Sequence, residues 1–249
     1  MHYRLDGPAS APVVVLLNSL GTTIELWDAQ LPALRQRFRV LRYDQRGHGR
    51  SSVPPGPYAF EDLGGDLVEL LNRLELDRVS LCGLSLGGML GMWAAVHVPE
   101  RIDRLVLCCT SAKLGTPESW RERAATVRSE GVAAVADAAL ERWFTPSCRP
   151  EVVARFREML VATPREGYAG CCEAIAGFDV RERLGSVVAP TLVLAGAEDP
   201  ATPPEHAELI ASLIPGARVV VLPRAAHLAN VEQPEAFNSA VLDHLKEAA

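Results

Sequence analysis

Six short runs rich in β-branched residues, at positions 13–17, 40–43, 79–82, 105–109, 191–195 and 219–222, are largely apolar on both faces rather than at alternate positions. A strand with one wet face alternates apolar and polar side chains. A strand buried on both faces does not, and such strands belong to parallel sheets covered by helices. Stretches of helical patterning separate the runs, at 63–74, 86–98, 204–213 and 234–245. The alternation predicts an α/β fold: a mostly parallel sheet with helices on both faces.

The alternation stops between residues 113 and 184, where Ala, Arg and Glu recur in helical patterns around 120–131, 132–143, 151–161 and 166–175. This predicts a helical cap inserted into the sheet domain. Pro190 and Thr191 mark the return to the sheet, since proline at a strand's first position removes only a peripheral donor. The expected organisation is a core of residues 1–112 and 185–249 with a cap of 113–184.

Apolar residues make up 48% of the 249-residue chain and charged residues 22%, enough for a large core and a charged surface, which excludes disordered and collagen-like classes. A formal charge of −6 argues against a nucleic-acid partner, because phosphate backbones are bound by clustered Lys and Arg. It leaves a small anionic substrate open, and composition says nothing of oligomeric state. The segment Met1-His2-Tyr3-Arg4-Leu5-Asp6 is polar, and the run 13–17 is too short for a signal-peptide core or a membrane span. A cytoplasmic protein without a membrane partner is expected. The six cysteines include the adjacent pairs Cys108-Cys109 and Cys171-Cys172 but no metal spacing, and are expected to be reduced, packed thiols.

Gly83-Leu84-Ser85-Leu86-Gly87 follows the run 79–82 and precedes a helical stretch. That is the context of a nucleophile elbow, in which a tight strand-to-helix turn holds a serine exposed while flanking glycines relieve the crowding. An alcohol is a weak nucleophile at neutral pH, so Ser85 needs a base, and the base needs a partner that fixes its tautomer. Asp199 follows the run 191–195 and His227 follows the last run, which gives the chain order Ser, Asp, His found in α/β-hydrolases. After the earlier run 105–109 stands Thr110-Ser111, with no carboxylate, so Asp199 is the preferred acid and Glu198 the fallback. The oxyanion hole is expected from the backbone N–H of Leu86 and, in the loop Asn18-Ser19-Leu20-Gly21, from that of Leu20. His48 reads as structural, and no metal or nucleotide cofactor is implied.

Taken together these segments resemble the 3-oxoadipate enol-lactonases, the α/β-hydrolases of the β-ketoadipate route of aromatic catabolism. The resemblance runs over nearly the whole chain. It is carried by Asn18-Ser19-Leu20-Gly21 with Trp27-Asp28, by Tyr43-Asp44-Gln45-Arg46-Gly47-His48-Gly49-Arg50-Ser51-Ser52, by the elbow, by Arg142-Trp143-Phe144-Thr145-Pro146 in the cap, and by the segments around Asp199 and His227. Within Cys171-Cys172-Glu173-Ala174-Ile175, the pair Cys172-Glu173 departs from the family's small-residue helix. The resemblance implies a small anionic lactone, bound by Ser19, Arg142 and Trp143 and opened by Ser85. Arg142 as a helix-surface arginine and Trp143 as a core tryptophan are the plain alternatives. So, for the whole chain, are a broad carboxylesterase, a pyruvate-eliminating relative of menaquinone synthesis, and a binding protein on the same fold without turnover.

Overall fold

The computed structural model describes residues 1–246. Seven strands form one sheet: β1 (Tyr3–Asp6), β2 (Val13–Leu17), β3 (Arg39–Tyr43), β4 (Val79–Leu84), β5 (Ile102–Cys108), β6 (Thr191–Gly196) and β7 (Arg218–Leu222). Their order is β1-β3-β2-β4-β5-β6-β7, with β1 antiparallel to β3 and every other pair parallel. The helices are α1 (Leu31–Leu34), α2 (Phe60–Arg73), α3 (Leu86–His97), α4 (Pro117–Glu130), α5 (Ala133–Trp143), α6 (Pro150–Val161), α7 (Arg165–Gly177), α8 (Pro204–Leu213), α9 (Ala229–Glu232) and α10 (Pro234–Lys246). Among the described residues no helix is long and apolar enough to cross a membrane.

The expected strands form where apolar runs predicted them, and β4 and β6 are buried at every position. Two strands differ from expectation for physical reasons. The polar N-terminal segment is β1, an edge strand of four residues whose backbone pairing with β3 supplies what its side chains do not. At the other edge β7 is not covered on both faces: Val220 and Val221 are 36% and 42% exposed, since an edge strand has one neighbour and less cover. α2 buries Leu63, Leu67, Leu70 and Leu71 on one face. α3 is buried almost all round, and its Gly and Ala residues let it press against the central strands.

The chain runs from β2 outward to β3 and then returns to place β4 on the other side of β2. At such a switch point the loops leaving the carboxyl ends of two neighbouring strands diverge and open a crevice. Here those loops are the one starting at Asn18 and the turn at Ser85, held together by the pairing of Leu17 with Gly83. Between β5 and β6 the chain builds α4 to α7, and α4 packs along α7. Arg128 on α4 meets Glu166 at 2.8 Å and Glu173 at 2.5 Å on α7, while Gly56 N of the core donates to Glu166 at 3.0 Å. Glu173 is thus an ion-pair partner between α4 and α7.

Candidate active site

β4 ends at Leu84 and α3 begins at Leu86, so Ser85 alone turns the chain from strand to helix, at φ +56° and ψ −114°. This backbone conformation costs an L residue on the order of 1–3 kcal/mol and persists only where the surroundings enforce it. A Cβ on Gly83 would stand 2.2 Å from Gly87 O, and one on Gly87 would stand 2.1 Å from Leu17 O, so no other residue fits this turn. Ser85 N donates to Cys108 O at 2.9 Å, and Ser85 O accepts from Thr110 Oγ1 at 2.7 Å and from Met89 N at 3.0 Å. Backbone bonds hold the turn, so the hydroxyl is free for other work.

Asp199 lies buried in the loop after β6, while Glu198 beside it is exposed. Asp199 Oδ1 accepts from Ala201 N at 2.8 Å and Thr202 N at 3.0 Å, and Oδ2 accepts from Thr202 Oγ1 at 2.6 Å. His227 Nδ1 meets the same Oδ2 at 2.8 Å. Burial pushes the Asp199 carboxyl up, but the imidazole's charge and the hydrogen bonds from His227 and Thr202 outweigh it and hold the group at about 2. A carboxylate ionised at neutral pH requires the imidazole to donate from Nδ1, which leaves Nε2 as the acceptor. Asp199 rather than Glu198 therefore reaches the imidazole.

The loop carrying His227 is tied to the helical insertion. His227 N donates to Arg142 O at 3.4 Å and Leu228 N to Trp143 O at 3.0 Å, so the last carbonyls of α5 receive the histidine loop. Glu232 clamps the same junction: Oε2 accepts from Ala226 N at 2.8 Å, and Oε1 from Thr145 N at 3.0 Å and Thr145 Oγ1 at 2.7 Å. Nothing in the local sequence separates Glu232 from the other acids of its neighbourhood.

Ser85 and His227 open on one cavity of about 330 Å³, shared with Ser19, Leu20, Arg142 and Trp143. Of the remaining residues expected here, Asp199 stands behind His227, and Leu86 is buried as the first residue of α3. The cavity also contains Arg123, which sequence reasoning passed over. Arg123 Nη2 donates to Tyr168 OH, and its guanidinium sits 5.5 Å from the ring centroids of Trp120 and Tyr168. Its Nε is buried with no hydrogen-bond partner among the described residues. Burial, and then the positive charge of Arg123, lower the Arg142 pKa from its ordinary value. Among the described residues neither guanidinium forms an ion pair, so the cavity wall carries two cationic side chains without a carboxylate of their own. The one available signal for Arg123 was its spacing from Trp120 and Val127 on one face of α4, which its arginine neighbours obscure. Among the described residues no group of three or more His, Cys, Asp or Glu side chains is placed to hold a metal ion.

Comparison with known proteins identifies the family. The family model for the alpha/beta hydrolase fold matches residues 12–234. A 3-oxoadipate enol-lactonase from Acinetobacter baylyi is 41% identical over 97% of this chain and 91% of its own length. The crystal structure of an enol-lactonase from Burkholderia xenovorans superposes with a TM-score of 0.96 at 45% identity, covering 99% of this chain and 96% of that one. A hydrolase from Pseudomonas aeruginosa superposes at 0.95 with 54% identity, covering 98% and 94%. With a strained serine at a strand-to-helix turn, an aspartate-bound histidine opening on the same cavity and a family match over most of its length, the chain belongs to the α/β-hydrolase fold family.

Proposed function

We propose that this protein opens 3-oxoadipate enol-lactone to 3-oxoadipate, with Ser85, His227 and Asp199 as the catalytic triad. The observation that carries the substrate class is the shared cavity: Ser85 and His227 face the same space as Arg123 and Arg142. Ser85 Oγ attacks the lactone carbonyl as His227 Nε2 takes its proton, and the amides of Leu20 and Leu86 hold the oxyanion. Collapse breaks the ring C–O bond, and His227 passes the proton it took from Ser85 to the departing oxygen. The leaving group is an enol, which departs more readily than an alkoxide and stays tethered within the acyl-enzyme. Water, deprotonated by His227, then releases the diacid. The substrate carboxylate lies against Arg142 and Arg123, where charge-assisted bonds orient it, and Trp143 and Ser19 complete the wall. Residues 113–184 act as the cap that brings these arginines over the serine. The six cysteines, all free thiols, suit the cytosol.

The test is turnover of the enol-lactone against p-nitrophenyl acetate by the purified protein. A charge-assisted hydrogen bond contributes about 1.5–3 kcal/mol, so kcat/KM should favour the lactone by on the order of 10²-fold or more. A preference for the neutral ester would instead make the protein a broad carboxylesterase. Arg142→Ala should lower kcat/KM on the lactone by on the order of 10- to 100-fold and leave the neutral ester within about 3-fold. Equal losses on both substrates would remove the carboxylate role of Arg142.

A further inference from the structure

The proposed reaction needs the Leu20 N–H to stay aimed at one point, although it sits in a loop rather than a helix. A trans peptide plane carries its C=O and N–H in opposite directions, so fixing Ser19 O fixes the heading of Leu20 N–H. Ser19 O accepts from Thr22 N at 3.2 Å and from Thr22 Oγ1 at 2.8 Å. The next plane is held from the other side, by Gly21 N donating to His48 Nε2 at 2.9 Å. Two successive planes are thereby pinned, one on each side of the Leu20 Cα.

His48 is suited to this. Its side chain is fully buried, and Nδ1 lies 3.2 Å from Arg46 O. A donor at Gly21 requires Nε2 to accept, which puts the ring proton on Nδ1 and directs it to Arg46 O. Burial lowers the His48 pKa to about 4, so the ring remains neutral and the acceptor stays available. An apolar residue at this position would strand a buried N–H. The loop carrying His48 is wedged in place from above: a Cβ on Gly47 would stand 2.3 Å from the Cα of Gly167 in α7. Gly21 is pressed in the same way, at φ +76° with the Leu160 side chain 2.4 Å from where its Cβ would be.

We propose that His48 is a positioning residue for the Leu20 oxyanion donor, with Thr22 as its counterpart on the preceding peptide. The proposal rests on the hydrolytic reading above. Its test compares wild type with His48→Ala, His48→Gln and Thr22→Val in four measurements: kcat, KM, affinity for a small alkylboronic acid that forms a tetrahedral adduct on Ser85, and affinity for 3-oxoadipate. Since removing an oxyanion donor outright costs about 10²- to 10³-fold, misaiming it in His48→Ala should lower kcat by on the order of 10- to 100-fold with KM within about 3-fold. Boronate affinity should fall by the same factor while 3-oxoadipate affinity holds. His48→Gln should recover part of the loss, because its amide oxygen can accept from Gly21 N. Thr22→Val should show the same pattern more weakly, and together with His48→Gln it decides the matter if His48→Ala does not fold. Unchanged kcat in folded variants, or a parallel fall in all four quantities, overturns the positioning role. A wild-type protein inert to both the lactone and the boronate overturns the hydrolytic reading itself.

Discussion

Ser85→Ala lowers kcat on the enol-lactone by about 10⁴- to 10⁶-fold and leaves the protein folded, because triad members act as a unit and the nucleophile has no substitute. The clean separation of chemistry from stability follows from the local structure. The turn at Ser85 is held by its backbone N and O, which bond to Cys108 O, Thr110 Oγ1 and Met89 N, and by the glycines that make room for it. None of these contacts uses the hydroxyl. Circular dichroism and the thermal midpoint should therefore match wild type, and 3-oxoadipate should bind as before. A residual rate above that in buffer is expected from the two amides and the arginines, since binding and the oxyanion hole act without the nucleophile.

Asp199→Asn costs nearly as much, on the order of 10³- to 10⁴-fold in kcat, by reversing one hydrogen bond. Oδ1 faces two backbone donors, Ala201 N and Thr202 N, so the amide oxygen of an asparagine must take that side. Its NH₂ then faces Thr202 Oγ1 and His227 Nδ1. Nδ1 must now accept, the ring proton moves to Nε2, and the nitrogen needed to receive the Ser85 proton already carries one. Steady-state rates at neutral pH measure this, and a loss under 10-fold would mean that the tautomer is set elsewhere. Acid gives an independent check on the same carboxylate. A group held at about 2, below its ordinary 3.8, contributes stability that is present above 3.8 and lost as pH falls toward 2. The wild type should lead the variant in thermal midpoint at pH 5, and the gap should narrow between pH 4 and pH 2.

Much of this architecture was legible in the amino-acid order because burial on both faces leaves a mark: the runs that become β4 and β6 lack the regular apolar–polar alternation of a strand with one wet face. The elbow was legible for a steric reason, since only glycine fits at 83 and 87. Asp199 and His227 followed from chain order once the serine was placed. What escaped notice is held together by contacts distant in sequence. β1 is too short to pattern and depends on its pairing with β3. Arg123 enters the site only because α4 packs along α7, bringing it to Tyr168. Glu232 joins two segments through Thr145 and Ala226, a link no spacing rule encodes. His48 was read as structural. Its place, hydrogen-bonded to Gly21 in the oxyanion loop, shows that a structural histidine can sit one residue from the proposed chemistry.

The most direct test of the central claim, that His227 activates Ser85 within this cavity, is intact-protein and peptide mass spectrometry after exposure to a small fluorophosphonate. A single adduct on Ser85 is predicted, formed far more slowly in His227→Ala and absent in Ser85→Ala. An adduct on another residue, or labelling of Ser85 at equal rates with and without the His227 imidazole, would contradict the account.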